Sequence, residues 1–226
     1  MKLSVIIPYF NEARHITRVL DAVREESTPK EIIVVDDGST DDTARIVEDY
    51  NKRHPVVIHS SEVNAGKGAA IRAGLQYVTG DIVIIQDADM EYDPSQYPAL
   101  IEPIVDGEAD VVYGSRFLGN IEGMKLRNRL ANYILAWTAN LLYRANITDE
   151  ATCYKAFKAD LVKSLPLRCN RFEFCPEVTA RIRKRGIKIK EVPINYRGRN
   201  VAEGKKIKWT DFFSAVWTLV KYRFVD

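Results

Sequence analysis

The sequence predicts an α/β protein: a mostly parallel central sheet flanked by helices, with an amphipathic helix at its C-terminal end. Short, largely apolar runs recur at residues 3–7, 31–35, 56–58 and 82–85. They are continuous rather than alternating, as in strands covered on both faces of a parallel sheet. Between them lie segments with apolar residues at helical spacing, joined by short turns, and strand–helix alternation builds a layered α/β domain. At 226 residues and 46% hydrophobic content the chain is long enough to bury such a core.

Residues 3–7 give the first strand, closed by Pro8. Asn11 stands where an N-cap would precede a helix with the stripe Ile16, Val19, Leu20 and Val23. The strand at 31–35 runs into Asp36-Asp37-Gly38-Ser39-Thr40-Asp41-Asp42, where Ser39 and Asp42 have capping-box spacing for a helix through Ile46, Val47 and Tyr50. After the strand at 56–58, Asn64-Ala65-Gly66-Lys67-Gly68 opens a helix carrying Ile71, Leu75 and Val78, with Gly80 as its expected C′ stop. Backbone N–H groups at that helix start could cradle a phosphate, or the glycines could serve only the turn. The full phosphate-loop pattern of nucleotide hydrolases is missing.

The strand at 82–85 ends abruptly in Gln86-Asp87-Ala88-Asp89-Met90-Glu91. On extended chain, positions two apart point the same way, so Asp87 and Asp89 converge and Glu91 follows. Crowded carboxylates need a cation, and Mg²⁺ is commonly held by one or two carboxylates plus substrate phosphates. A solvated pair of loop acids is the plainer alternative. A further strand at 110–113 ends in Gly114-Ser115-Arg116. Ligands of such sheets bind beyond the strands' carboxyl ends, where Pro8–Glu12, residues 36–39 and residues 87–89 would gather.

A helix over residues 128–145 carries the stripe Leu130, Ile134, Trp137 and Leu141, widened by Tyr133, Leu135 and Leu142. It reads as a core helix, or, with Arg127, Arg129 and Arg144 beside it, as one suited to a bilayer's headgroup boundary. The choice recurs in residues 205–226, where Lys205, Lys206 and Lys208 precede Trp209, Phe212, Phe213, Val216, Trp217, Leu219 and Val220. There an interfacial anchor is the expectation, appended to a catalytic domain at 1–204.

The net charge of +2 sets no strong field, but residues 181–208 hold eleven Lys or Arg against two Glu and should seek anions. Cys153, Cys169 and Cys175 lack metal-ligand spacing and read as free thiols of a reducing compartment. With no signal-peptide pattern and no apolar run near the roughly 20 residues of a membrane span, a cytoplasmic or peripheral protein is expected. No nucleic-acid-binding module is present, and the basic residues come late.

Taken in order, Val5-Ile6-Ile7-Pro8-Tyr9-Phe10-Asn11-Glu12, Val34-Val35-Asp36-Asp37-Gly38-Ser39, Asn64-Ala65-Gly66-Lys67-Gly68, Asp87-Ala88-Asp89, Gly114-Ser115-Arg116, Cys153-Tyr154-Lys155-Ala156-Phe157 and Arg199…Glu203-Gly204-Lys205-Lys206 carry a resemblance. The chain resembles the family 2 glycosyltransferases of the GT-A (Rossmann-like) fold, in particular the dolichyl- and other polyprenyl-phosphate mannose and glucose synthases. The resemblance implies a nucleotide-sugar donor of the GDP-mannose or UDP-glucose type, a polyprenyl phosphate acceptor, inversion at the anomeric carbon and a Mg²⁺ or Mn²⁺ cofactor. Pro8, Tyr9, Glu12, Val35, Asp37 and Lys67 would then bind the nucleotide sugar, with Asp87 and Ala88 against nucleotide and sugar. Asp89 and Glu91 would hold the metal; Arg116, Arg199 and Lys206 would act with Asp89 on the phosphates. Mannose synthases of this group carry Gln where Glu91 stands, so the donor stays open.

A hydroxyl acceptor, as in polysaccharide or glycolipid synthesis, would instead need a general base, with Asp89, Glu173 and Glu177 as candidates. A silent membrane-surface module is the reading from another class, against which the intact Asp87 and Asp89 speak.

Overall fold

The computed structural model describes residues 1–199 and 209–225. Its elements follow as β1 (Leu3–Tyr9), α1 (Ile16–Glu25), β2 (Lys30–Asp36), α2 (Thr43–Asn51), β3 (Val57–Ser60), α3 (Lys67–Leu75), β4 (Ile82–Ile85), α4 (Tyr97–Val105), β5 (Val111–Ser115), β6 (Ile121–Glu122), α5 (Leu126–Tyr143), β7 (Lys155–Lys158), α6 (Ala159–Lys163), α7 (Phe174–Lys184), β8 (Lys190–Pro193), β9 (Tyr196–Arg197) and α8 (Trp209–Phe224). Among the described residues the main sheet has the order β3-β2-β1-β4-β7-β5-β8. It is parallel except for β7, which runs against both β4 and β5.

The expected continuous strands are the buried ones: every residue of β1 and of β4 is covered. Strand order reverses at β1, whose neighbours are β2 on one side and β4 on the other, so the crevice between their carboxyl ends is the place for a ligand. At the opposite edge Glu31 ties three segments together. Its carboxylate accepts from Ser4 Oγ at 2.5 Å, Thr79 N at 2.7 Å, Gly80 N at 3.1 Å and Lys2 Nζ at 2.6 Å.

Local expectations fail where side chains found other partners. Asn11 is no N-cap: α1 starts after His15, and Asn11, at φ +51°, bonds instead to Thr40 N at 2.8 Å. The Ser39/Asp42 capping box does not form, because Asp41 takes Thr43 N at 3.0 Å and Ser39 N donates to Asp36 at 2.9 Å. Val78 lies beyond α3, and Gly80 is a close-approach glycine rather than a C′ stop: a Cβ there would meet Lys2 O and Ser4 Oγ at 2.6 Å.

Helix α5 shows the largest departure from a core helix. Its inward face is the small one, Ala136, Thr138 and Ala139 with Leu135 and Tyr143, and it packs on α7 and α8. The large stripe faces out, with Leu130 at 62%, Trp137 at 64% and Leu141 at 63% exposure. Close helix packing favours small residues, so the bulky face is left over. Helix α8 divides the same way: Ala215, Thr218, Leu219 and Tyr222 are buried, and Leu219 O accepts the Tyr143 hydroxyl at 2.6 Å. Its Trp209, Phe213, Trp217 and Phe224 are exposed. Among the described residues no helix is long and apolar enough to cross a membrane.

Candidate active site

Parallel register brings the carboxyl ends of β1, β2 and β4 to one rim, with Tyr9 beside Asp36 and Ile6 beside Ile85. The loops leaving β1 and β2 are laced together: Asn11 N donates to Ser39 Oγ at 3.1 Å, and Glu12 N to Thr43 Oγ1 at 2.9 Å. Pro8 and Val35 are register partners on β1 and β2, and both are buried. The Tyr9 hydroxyl is buried and finds no hydrogen bond among the described residues. Burial and the neighbouring Asp36 raise its pKa.

Asp37 is turned to the start of α3, where its carboxylate accepts from Ala65 N at 2.8 Å and Gly66 N at 2.8 Å. Burial pushes its pKa up from the usual carboxylate value, against the pull of those two N–H groups. The N–H groups at this helix start are partly taken up within the chain. Asp37 takes the N–H groups of Ala65 and Gly66, Asn170 O takes that of Ala69, and a Cβ on Gly68 would meet Cys169 O at 2.5 Å. The glycines serve close packing of the loop at residues 169–171.

Beyond β4 the chain turns at once instead of running on extended, and Met90 adopts φ +59°. The acids are divided between two cations, while Asp87 stays close enough to act on the Asp89 charge. Asp87 pairs with Lys67 Nζ, which also lies 3.3 Å from Cys153 Sγ. Burial opposes the Lys67 charge, but Asp87 beside it holds the pKa well above the ordinary value. Ala88 is buried between the two acids.

Asp89 and Glu91 share a different cation. Arg199 Nη2 lies 2.7 Å from Asp89 Oδ2, its Nε 3.8 Å from Glu91 Oε1 and its Nη1 3.3 Å from Glu12 Oε2. Burial first, then the charges of Asp87 and Glu91, push the Asp89 carboxyl up to about 7, with Arg199 pulling the other way. Two hard oxygen donors facing one positive group fit Mg²⁺ or Mn²⁺, whose remaining ligands would be diphosphate oxygens and water. Among the described residues no cluster of three metal-ligating side chains is gathered. The protein side of such a site would be Asp89 and Glu91.

Arg116 does not stand on the open rim. It is 6% exposed and grips Asp149 with Nε at 2.6 Å and Nη2 at 2.7 Å. Its guanidinium also covers the Tyr196 ring at 5.1 Å from the centroid. Asp149 and Tyr196 were not singled out from the sequence; a buried arginine calls for a carboxylate, but nothing in spacing says which. Glu177 is corrected as a candidate base: it is fully buried and caps Arg168 N at 2.9 Å and Cys169 N at 2.7 Å. Glu173 ends as the residue before α7. Lys206 lies outside the described residues.

Comparison with known proteins extends these observations. The sequence profile described as Glycosyl transferase family 2 matches residues 4–165. The chain is similar to UDP-N-acetylglucosamine–dolichyl-phosphate N-acetylglucosaminyltransferase of Methanococcus voltae, with 31% identity over 233 residues, 91% of this chain and 92% of that one. It is also similar to dolichol-phosphate mannosyltransferase of Pyrococcus furiosus, with 27% identity over 232 residues, 98% of this chain but 64% of the longer relative. In fold it matches glucosyl-3-phosphoglycerate synthase from Mycobacterium tuberculosis, crystallised with Mn²⁺, UDP-glucose and phosphoglyceric acid. The TM-score is 0.75 at 21% identity, covering 100% of this chain and 80% of that one. The α/β arrangement is the expected GT-A fold. With a family match spanning most of its length, the chain belongs to glycosyltransferase family 2 and is an enzyme of that family.

Proposed function

We propose that the protein transfers a hexosyl group, glucose or mannose, from a nucleotide diphosphate sugar to the phosphate of a polyprenyl, dolichyl-type lipid. It would do so as a peripheral protein on the cytoplasmic face of a membrane. Within a family that also uses soluble acceptors, one observation carries the lipid reading: the large apolar side chains left exposed on the packed helices α5 and α8. Leu126, Leu130, Ile134, Trp137 and Leu141 follow one helical stripe, and Trp209, Phe213 and Trp217 follow another on the helix packed beside it. An exposed apolar face of this extent marks an interaction surface, and Lys125, Arg127, Lys221 and Arg223 around it suit an anionic bilayer. The face leads to the chemistry. α5 begins shortly after β6, which pairs with β9, and β9 precedes Arg199. Residues 1–204 would carry the chemistry and 205–226 part of the membrane contact.

The reaction breaks the bond between an anomeric carbon and a diphosphate, so negative charge grows on the leaving group. A divalent cation held by Asp89 and Glu91 would offset that charge. Lys67 and Arg199 are the described cations at the rim that could add to it, joined by Lys206 from the segment outside the described residues. An acceptor phosphate is already anionic near neutral pH and needs no base, in keeping with a Glu177 spent on capping. Attack from the face opposite the leaving diphosphate inverts the anomeric centre.

The test is a panel of labelled nucleotide sugars incubated with a short polyprenyl phosphate and Mg²⁺ or Mn²⁺. Label moving into the organic phase with one donor is the expected result; label staying in water with every donor would overturn the lipid acceptor.

A further inference from the structure

Glu91 is held at both carboxylate oxygens. Oε2 accepts the Tyr196 hydroxyl at 2.6 Å, and Oε1 accepts the Arg199 main-chain N–H at 2.8 Å. The two segments are also joined through the backbone: Arg197 N donates to Glu91 O at 3.1 Å, and Tyr92 forms a bridge with Tyr196. The Tyr196 ring cannot turn away. Arg116, fixed by its two bonds to Asp149, covers it at 5.1 Å, and the Tyr92 ring stands 5.3 Å off at a steep angle. Glu91 and Tyr196 are 8% and 3% exposed, so water does not compete for the bond. A hydroxyl donating to an ionised carboxylate in such surroundings is among the stronger hydrogen bonds of a protein.

We propose that Tyr196 is a positioning residue for the metal-binding carboxylates. Its hydroxyl fixes the Glu91 side chain so that Glu91 and Asp89 face the same cation, and the Arg116–Asp149 pair acts one step further out by holding the ring. The inference rests on the reading of Asp89 and Glu91 as metal ligands. It gives Arg116 a task suited to its burial, since through Tyr196 it shapes the site without touching a phosphate. Without the hydroxyl, Oε2 of Glu91 loses the bond that fixes its direction, so the pair no longer presents the same set of donors.

Tyr196→Phe removes one oxygen and leaves the ring in place. Mn²⁺ binding is read from the EPR signal of the free ion, with UDP present in one series and GDP in another, and thermal unfolding checks that each variant is folded. Loss of a charge-assisted hydrogen bond predicts at least roughly tenfold weaker Mn²⁺ binding by Tyr196→Phe. In a Glu91→Gln background the same change should cost less than twofold, because its effect passes through that carboxylate. The amide background also leaves no unpaired buried charge, so the cycle stays readable if Tyr196→Phe alone is unstable. Wild-type affinity in Tyr196→Phe, or full additivity of the two substitutions, would overturn the role of Tyr196. A wild-type protein that binds no Mn²⁺ with either nucleotide would overturn the ligand assignment along with it.

Discussion

Trp137→Ser removes the largest side chain from the outward face of α5, at a position 64% exposed. A tryptophan buries about 150–250 Å², so something like 100–160 Å² of it now meets water. At about 25 cal/mol per Å², taking all of that area out of water would be worth about 2.5–4 kcal/mol. A residue at the headgroup boundary stays half wet, which leaves about 1–2 kcal/mol, or roughly tenfold to thirtyfold in partition coefficient. Because the indole is exposed, folding stability should change by no more than about 0.5 kcal/mol. The assay is co-sedimentation with vesicles rich in anionic lipid at fixed low salt, with Val105→Ser as control. Val105 is 53% exposed on α4 and belongs to neither stripe. Wild-type partitioning by Trp137→Ser, or an equal loss in Val105→Ser, would refute the docking face.

Two further predictions test the frame that carries the site. Burial works against the Glu31 charge, but bonds from Lys2, Ser4 and Thr79 bring its pKa down to about 2, from 4.5. A lowered carboxyl stabilises the fold above its unfolded pKa and loses that contribution as pH falls towards the folded one, so Glu31→Gln should cost about 2–3 kcal/mol at pH 7. In urea unfolding the gap from wild type should shrink steadily below pH 4.5; a gap independent of pH would contradict the assignment. Gly68→Ala sets a helix-propensity gain of up to about 1 kcal/mol against overpacking of about 1–3 kcal/mol. The Cβ would meet backbone oxygens of Cys169 at 2.5 Å and Arg171 at 3.0 Å, so the melting temperature should fall, and a rise would show that the loop yields freely.

The sheet and its ligand-binding edge were legible because fully buried parallel strands have few disguises: residues 3–7 and 82–85 are continuous apolar runs. Strand β7 was not. It opens with Lys155, which is buried only because its ammonium donates to Glu150 O at 2.7 Å and Thr152 O at 2.6 Å and lies over the Tyr113 ring. No local pattern announces such partners. The spacing of Asp87, Asp89 and Glu91 pointed to a cation, yet its division between Lys67 and Arg199 depends on a turn at residues 88–91 and on an arginine 110 positions away from Asp89. Asp149, 33 residues from Arg116, was invisible for the same reason. In α5 the sequence weights the bulky stripe, whereas helix packing selected the small residues Ala136 and Ala139. Both α5 faces are apolar enough to pack, and only the neighbours α7 and α8 decide between them.

Transfer of a hexosyl group to a lipid phosphate would depend on the carboxylates facing Arg199. Mass spectrometry of the lipid recovered from one reaction tests it most directly, comparing wild type, wild type with EDTA, and Asp89→Asn. Wild type with Mn²⁺ or Mg²⁺ should yield a polyprenyl phosphate heavier by one hexosyl unit, and the other two reactions should return unmodified lipid. Equal product from Asp89→Asn, or free sugar released from the donor while the lipid stays unmodified in all three, would contradict it.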